Sequence, residues 1–104
     1  MKLSVLERVV SLSMLPQKGS FTNIKLLRVV REDLSFDETE NSKLKFVQGE
    51  ASLTWNLTAD VQDKDITFGE VVSQMLIKEL KKLDEEEAVE EQHFSLYEKL
   101  IGGF

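Results

Sequence analysis

Apolar residues recur at helical spacing over most of this chain but alternate in one stretch, and this single change of period constrains the fold most. The stretch LTWNLT puts Leu53, Trp55 and Leu57 on one face of an extended strand, with polar residues on the other face. Residues 46–48 supply a partner strand, and Gly49 lies at or near the turn. The sequence therefore predicts one β-hairpin inside a mainly helical chain.

The first predicted helix covers residues 3–15 and ends at Pro16, because a proline ring does not fit a helix interior. Its polar residues share a narrow stripe, and apolar residues fill the other sides. The stripe consists of Ser4, Glu7, Arg8 and Ser11. The pattern predicts a mostly buried helix that carries a small polar strip.

The second helix is predicted over residues 22–34, with Ser20 or Thr22 as its N-terminal cap. Four apolar residues at helical spacing are expected to face the core. They are Ile24, Leu27, Val30 and Leu34. The outer side of this helix keeps its charged residues.

Three shorter predictions complete the helices. Ser35 and Glu38 have the spacing of a capping box, which predicts a short helix over residues 36–44. A longer helix starts near Gly69, and a last short helix covers residues 94–101. The glycines expected to close it are Gly102 and Gly103.

The predicted elements define an α+β domain that spans residues 1–104. It has about five helices and either a small antiparallel hairpin or a three-stranded sheet, since residues 66–68 are predicted to be a third short strand or an extended lead-in. The order of helices and hairpin is like that of a winged-helix domain.

Charge is unevenly distributed along the chain, whose net charge is −6. Residues 1–50 hold eight Lys or Arg against seven Asp or Glu, a net charge of +1, whereas residues 51–104 hold five against twelve, a net charge of −7. This balance disfavours long-range attraction of the whole molecule to a nucleic-acid backbone. A basic protein partner would be steered towards the C-terminal half.

The chain's only histidine, His93, follows six acidic residues in the stretch KLDEEEAVEEQHF. No second histidine or cysteine is present to complete a usual transition-metal site. Glu90 and Glu91 fall at the predicted start of the last helix, where the helix dipole favours negative charge. The acids at the unfavourable end of the preceding helix are Glu85, Glu86 and Glu87. Two interpretations of these three glutamates stay open, a solvated helix junction or the edge of a surface that steers a partner.

The sequence carries no catalytic or cofactor-binding signature. The G-x-S-x-G, G-x-x-x-x-G-K-[ST] and G-x-G-x-x-G patterns are absent, and the absence of cysteine excludes thiolate catalysis. A calcium loop that starts at Asp63 fails, because Phe68 takes the glycine position and Gln74 takes the position of the bidentate glutamate. We therefore predict no enzymatic activity, no cofactor and no metal, although a carboxylate pair assembled in three dimensions stays open.

The apolar stretch near the start of the chain is not expected to cross or enter a membrane. Residues 3–15 are too few to span a bilayer, and Glu7 and Arg8 interrupt them. We expect a cytoplasmic protein.

A winged-helix regulator is the alternative that involves nucleic acid. The third helix would enter the major groove, but its N-terminal end carries acids that phosphates would repel. DNA binding would therefore depend on Lys25, Arg28 and Arg31 of the second helix. An ordinary solvated helix face explains the same residues.

Trp55 and Tyr97 are candidate anchors for a protein partner. A large aromatic side chain at the edge of a fold supplies binding affinity when it is buried in an interface. The same side chains would stabilise the core if they were buried in the domain. The sequence does not choose between these roles.

The motifs LERVVSLSMLPQKGSFTNIKLLRVVREDLSF and HFSLYEKLIGG resemble those of small accessory proteins encoded by tailed bacteriophages and prophages. As a class, such proteins often bind a host or phage protein. The resemblance spans most of the chain and implies a binding module, without indicating its target.

We therefore predict a small acidic, non-enzymatic protein that binds and modulates a host or phage protein, and the resemblance implies that a phage encodes it. The glutamates from Glu85 to Glu91 would steer the encounter, and Trp55 or Tyr97 would supply affinity. The chain would be a monomer or a homodimer. A third hypothesis is a homodimeric structural protein with an apolar face of the last helix across a two-fold axis.

Overall fold

The computed structural model describes residues 1–50 and 52–102 and has an α+β fold. Within these residues the α-helices are α1 (Val5–Met14), α2 (Phe21–Leu34), α3 (Glu38–Leu44), α4 (Gly69–Glu85) and α5 (Phe94–Leu100). The β-strands are β1 (Lys2–Leu3), β2 (Val47–Gln48), β3 (Leu53–Thr54) and β4 (Lys64–Asp65). A 3₁₀ turn, Glu91–His93, leads into α5. The predicted fold class is confirmed; the predicted closing residue Gly103 lies outside the described residues.

The predicted hairpin is present but short. Strands β2 and β3 pair antiparallel, with Val47 opposite Thr54, and the Gly49 N–H donates to the Ser52 carbonyl at 2.7 Å across the turn. The chain leaves the strand after Thr54, and the Leu57 side chain is 84% exposed. The alternating face predicted from the sequence therefore does not continue to Leu57.

A second small sheet joins the start of the chain to the segment before α4. Strands β1 and β4 pair antiparallel, with Lys2 opposite Asp65 and Leu3 opposite Lys64. Of the two alternatives predicted for residues 66–68, the lead-in is correct, since these residues connect β4 to α4 without forming a strand. Of the two predicted sheets, the hairpin is present and the three-stranded sheet is not, because the described strands form two separate pairs. Strand β1 was not predicted, because two residues are too few to show the alternating period of a strand and the residues that follow have helical spacing.

The core lies between α1, α2, α4 and α5, which contact one another in pairs. The predicted inward face of α2 is confirmed, since Leu27, Val30 and Leu34 are buried. The other buried apolar residues of this cluster are Leu3, Val10, Leu15, Ile66, Phe68, Val72, Leu76 and Leu96. Their removal from water is the main favourable contribution to the stability of the fold.

The polar stripe of α1 points into the domain. Arg8 is completely buried: its Nε donates to the Leu34 carbonyl at 3.1 Å, and its Nη2 donates to the Ser35 carbonyl at 2.5 Å. Its Nη1 donates to Glu40 Oε2 at 2.6 Å, and the guanidinium lies 4.0 Å from the centre of the Phe36 ring. This hydrogen bond from Arg8 is the largest cause that lowers the pKa of Glu40. Arg8 thus ties α1 to the connection between α2 and α3.

Glu7 makes the second buried ionic contact of the stripe. Its Oε1 accepts hydrogen bonds from Lys99 Nζ at 2.7 Å and from the Ser4 N–H at 2.9 Å. Burial raises the pKa of Glu7, but Lys99 and the Ser4 N–H outweigh that effect, and the pKa lies below its ordinary value. Ser4 also caps α1, because its hydroxyl accepts from the Glu7 N–H. The contact joins α1 to α5.

The capping box of α3 is formed by Asp37 and Glu40, so the prediction based on Ser35 and Glu38 is wrong. Asp37 Oδ1 accepts from the Glu40 N–H at 2.7 Å, and the Asp37 N–H donates to Glu40 Oε1 at 3.1 Å. Ser35 instead closes α2, where its hydroxyl donates to the Glu32 carbonyl at 2.6 Å. Ser35 therefore caps the C-terminus of α2 and does not cap the N-terminus of α3.

Candidate functional site

The three unexplained glutamates form the turn that ends α4. Glu85 is the last helical residue, Glu86 is the C-cap, and Glu87 has a left-handed backbone with φ of 53°. The Glu87 N–H donates to the Asp84 carbonyl at 3.0 Å, and the Ala88 N–H donates to the Leu83 carbonyl at 2.8 Å. This is the hydrogen-bond pattern of a Schellman motif, in which the left-handed residue is usually glycine. Glu87 thus makes the turn less stable than glycine would at the same position.

Glu90 and Glu91 lie at the start of the last helical segment, as predicted. The Glu90 N–H donates to His93 Nδ1 at 2.9 Å, and the His93 N–H donates to the Glu90 carbonyl at 2.9 Å. His93 is itself 7% exposed. His93 therefore stabilises the turn that leads into α5 through its two hydrogen bonds to the Glu90 backbone.

A cleft of about 230 Å³ lies between the end of α4 and α5. Its lining residues are Asp84, Val89, Phe94, Tyr97 and Glu98. Phe94 is 57% exposed and Val89 is 38% exposed, although both are apolar. The Tyr97 hydroxyl donates to Asp84 Oδ2 at 3.3 Å and links the two helices across the cleft. The lining of the cleft therefore combines apolar side chains with carboxylates.

We use the name acidic surface for this cleft and the exposed glutamates next to it. It comprises Asp84, Glu85, Glu86, Glu87, Val89, Glu90, Glu91, Phe94, Tyr97 and Glu98. Sequence reasoning placed Phe94 in the last short helix but did not single it out as a binding residue. The signal was available, since Phe94 shares a helix face with Glu98 four residues later, whereas Leu96 and Leu100 share another.

The ionisation of Tyr97 gives a direct test of the cleft. Burial raises the pKa of Tyr97 above its ordinary value, and the charge and hydrogen bond of Asp84 raise it further. Because the chain has a single tyrosine, the ultraviolet absorbance of tyrosinate reports this residue alone. We expect Asp84→Asn to lower the pKa of Tyr97 and Glu98→Gln to leave it nearly unchanged. Equal pKa values in wild type and Asp84→Asn would contradict the contact.

Trp55 lies apart from the acidic surface. It is half-buried, and its ring centre lies 5.8 Å from that of Phe46, which in turn lies 4.9 Å from that of Phe36. Trp55 lines a different cleft, and among the described residues the two clefts share no lining residue. The structure therefore brings Tyr97 together with the glutamates but does not bring Trp55 to them.

The basic residues of α2 are not equivalent. Lys25 and Arg28 are exposed, whereas Arg31 is half-buried and its Nη2 donates to the Pro16 carbonyl at 2.5 Å. Arg31 thus holds the turn between α1 and α2. The Lys25 ammonium lies 5.8 Å from the centre of the Phe21 ring, which is 80% exposed. Of the three side chains predicted to meet phosphates, two point to solvent and one has a structural contact.

Within residues 1–50 and 52–102, no group of three or more His, Asp or Glu converges as a metal site, and no helix is long and apolar enough to cross a membrane. No protein-family model, curated protein or solved structure matches the chain. A function for this chain therefore rests on its own residues.

Proposed function

We propose that the protein is a non-enzymatic binding module whose acidic surface docks onto a basic patch of a partner protein. The observation that carries the proposal is the exposure of Phe94, an aromatic side chain left 57% exposed at a cleft that carboxylates also line. An exposed phenylalanine contributes little to the stability of a free domain. It gains free energy when a partner covers it.

The apolar residues and the glutamates of the acidic surface have separate roles in this proposal. Phe94 and Val89 supply apolar area that a partner removes from water, and this area determines how slowly the complex dissociates. The glutamates from Glu85 to Glu91 are exposed, and exposed charges mainly raise the association rate. Phe94 takes the anchoring role that the sequence suggested for Trp55, and Tyr97 lines the same cleft.

The size and lining of the cleft favour an apolar side chain of a partner over a small molecule. A volume of about 230 Å³ lies below the range of about 300–1,000 Å³ that is common for small-molecule pockets. It suits a single apolar side chain with Lys or Arg on either side. The resemblance to phage accessory proteins supports a role in which such a contact modulates a host or phage protein.

A short peptide tests this chemistry directly. The probe is a capped peptide with one phenylalanine between two pairs of arginines, and its control has glutamates in place of the arginines. One anchor together with screened charge pairs corresponds to a Kd on the order of 0.1–1 mM. Nuclear magnetic resonance titration should shift the amide signals of Val89, Phe94 and Tyr97 with the basic peptide only. Absence of these shifts at low salt would contradict the proposal.

Glu87→Gly separates binding from stability. Glycine removes a left-handed strain of about 1–2 kcal/mol and adds an unfolded-chain entropy of about 0.5–1 kcal/mol. The variant should therefore be more stable by about 0.5–1 kcal/mol while it binds the basic peptide less tightly. Weaker binding by a more stable protein does not arise from unfolding.

Charge reversal supplies the matched comparison. The test variant is Glu85→Lys, Glu86→Lys and Glu87→Lys. The control reverses three exposed acids that belong to neither charged surface, Glu50, Asp63 and Glu70. Both variants change net charge equally. Only the test variant should lose binding and its salt dependence. Equal losses would show that net charge alone drives the interaction.

A further inference from the structure

The outer side of α2 has the opposite chemistry to the acidic surface. Residues 16–31 contain four Lys or Arg and no acid. At helical spacing on this side lie Phe21, Lys25, Arg28 and Val29, which we call the basic face. Phe21 is 80% exposed and Val29 is 59% exposed. The basic face therefore presents apolar side chains between cations.

The acidic surface belongs to the most strongly acidic part of the chain. Residues 84–98 contain seven Asp or Glu and no Lys or Arg. In the described part of the chain, the ion pairs engage the N-terminus, Arg8 and Lys99, and none joins the acidic surface to the basic face. Both surfaces thus keep their charge in the single molecule.

We propose that the acidic surface of one copy docks on the basic face of a second copy, so that the chain associates head to tail. This inference rests on the proposed function and names the partner as the protein itself. The acidic cleft requires an apolar side chain with cations beside it. Phe21 with Lys25 supplies that combination. A shallow concavity on the same side offers a seat for Phe94, and its lining holds three cations, one acid and one apolar residue: Lys25, Arg28, Arg31, Glu32 and Val29.

The geometry of such a contact has a specific consequence. Two different surfaces of the same molecule meet, so the contact is heterologous and leaves one acidic surface and one basic face unused at the ends of a dimer. Further copies add until a ring closes or an open chain forms. Because exposed charges attract one another through solvent, salt should weaken the association.

Sedimentation of two complementary variants tests the inference. The first variant is Lys25→Glu with Arg28→Glu, which makes both surfaces acidic. The second is Glu85→Lys, Glu86→Lys and Glu87→Lys, which leaves four carboxylates against three lysines on the acidic surface and so removes most of its negative charge. Wild type should associate as its concentration rises towards about 1 mM, and each variant alone should associate at least about tenfold more weakly. An equimolar mixture of the two variants should associate again, since each then offers a surface of the opposite sign. Circular dichroism of each variant verifies that it is folded.

Recovery in the mixture supports the inference, and three results overturn it. A wild type that stays monomeric but binds the arginine–phenylalanine peptide has a different basic protein as its partner, and the proposed function survives. A salt-insensitive dimer that both charge variants preserve is a two-fold dimer through another face. A wild type that neither self-associates nor binds the peptide contradicts both proposals.

Discussion

Replacing Arg8 by leucine is expected to lower the free energy of unfolding by about 3–5 kcal/mol, which is the cost of removing one partner of a buried ion pair. The guanidinium is completely buried and satisfies the carbonyls of Leu34 and Ser35 as well as the Glu40 carboxylate. Leucine restores none of these hydrogen bonds. A small domain is stable by only about 5–15 kcal/mol, so the loss should be visible at room temperature.

Urea denaturation followed by circular dichroism measures this loss, and Arg28→Leu is the matched control on the exposed side of α2. The control should change stability by no more than about 0.5 kcal/mol. Adding Glu40→Leu to Arg8→Leu should recover part of the loss, because no carboxylate is then left without its cation. A loss below about 1 kcal/mol for Arg8→Leu would contradict the role assigned to this contact.

The same contact has a defined pH dependence. Because the hydrogen bond from Arg8 lowers the pKa of Glu40 in the folded state, the contact stabilises the protein above the ordinary pKa of glutamate. That contribution is lost as the pH falls through the lowered pKa. The difference in stability between wild type and Arg8→Leu should therefore narrow in acid.

Replacing Leu96 by alanine is expected to lower the free energy of unfolding by about 2–5 kcal/mol, as for other buried leucines. Leu96 is completely buried and lies in α5, the helix that carries one wall of the acidic cleft. Alanine leaves a cavity that the surrounding helices do not fully close. Thermal or urea denaturation measures the change.

Phe94→Ala is the matched control in the same helix, and its expected profile is the reverse. Phe94 is 57% exposed, so its truncation should cost little stability but should weaken binding of the basic peptide about tenfold or more. If instead Phe94→Ala unfolds the protein and leaves binding intact, Phe94 is a core residue and not an anchor. Within α5, Leu96 is thus expected to stabilise the domain, whereas Phe94 is proposed to bind the partner.

Much of the fold follows from local sequence signals. The helical period predicted α2 with its buried Leu27, Val30 and Leu34, and the alternating period predicted the hairpin. These signals work because a segment must bury one face, and the period of its apolar residues shows which backbone achieves that. The position of Glu90 and Glu91 at a helix start was predicted for the same kind of local reason.

Several features of the structure were not predicted because they join residues that are far apart in the sequence. Lys2 pairs with Asp65, and Glu7 meets Lys99, across separations that no local period encodes. The capping box was assigned to the wrong residues because Ser35 has equally good uses in the helix before and the helix after it. The exposure of Phe94 was not predicted, because an apolar residue in a short helix fits either of two faces.

By itself the sequence determined the α+β class, most helix positions and the concentration of acids after α4, since each depends on neighbours a few residues apart. Only the tertiary structure decided that the polar stripe of α1 is buried, because its partners come from α2, α3 and α5. It also decided that Tyr97 and not Trp55 lies beside the glutamates. Burial and proximity depend on how distant elements pack together, and the period of a single segment does not contain that information.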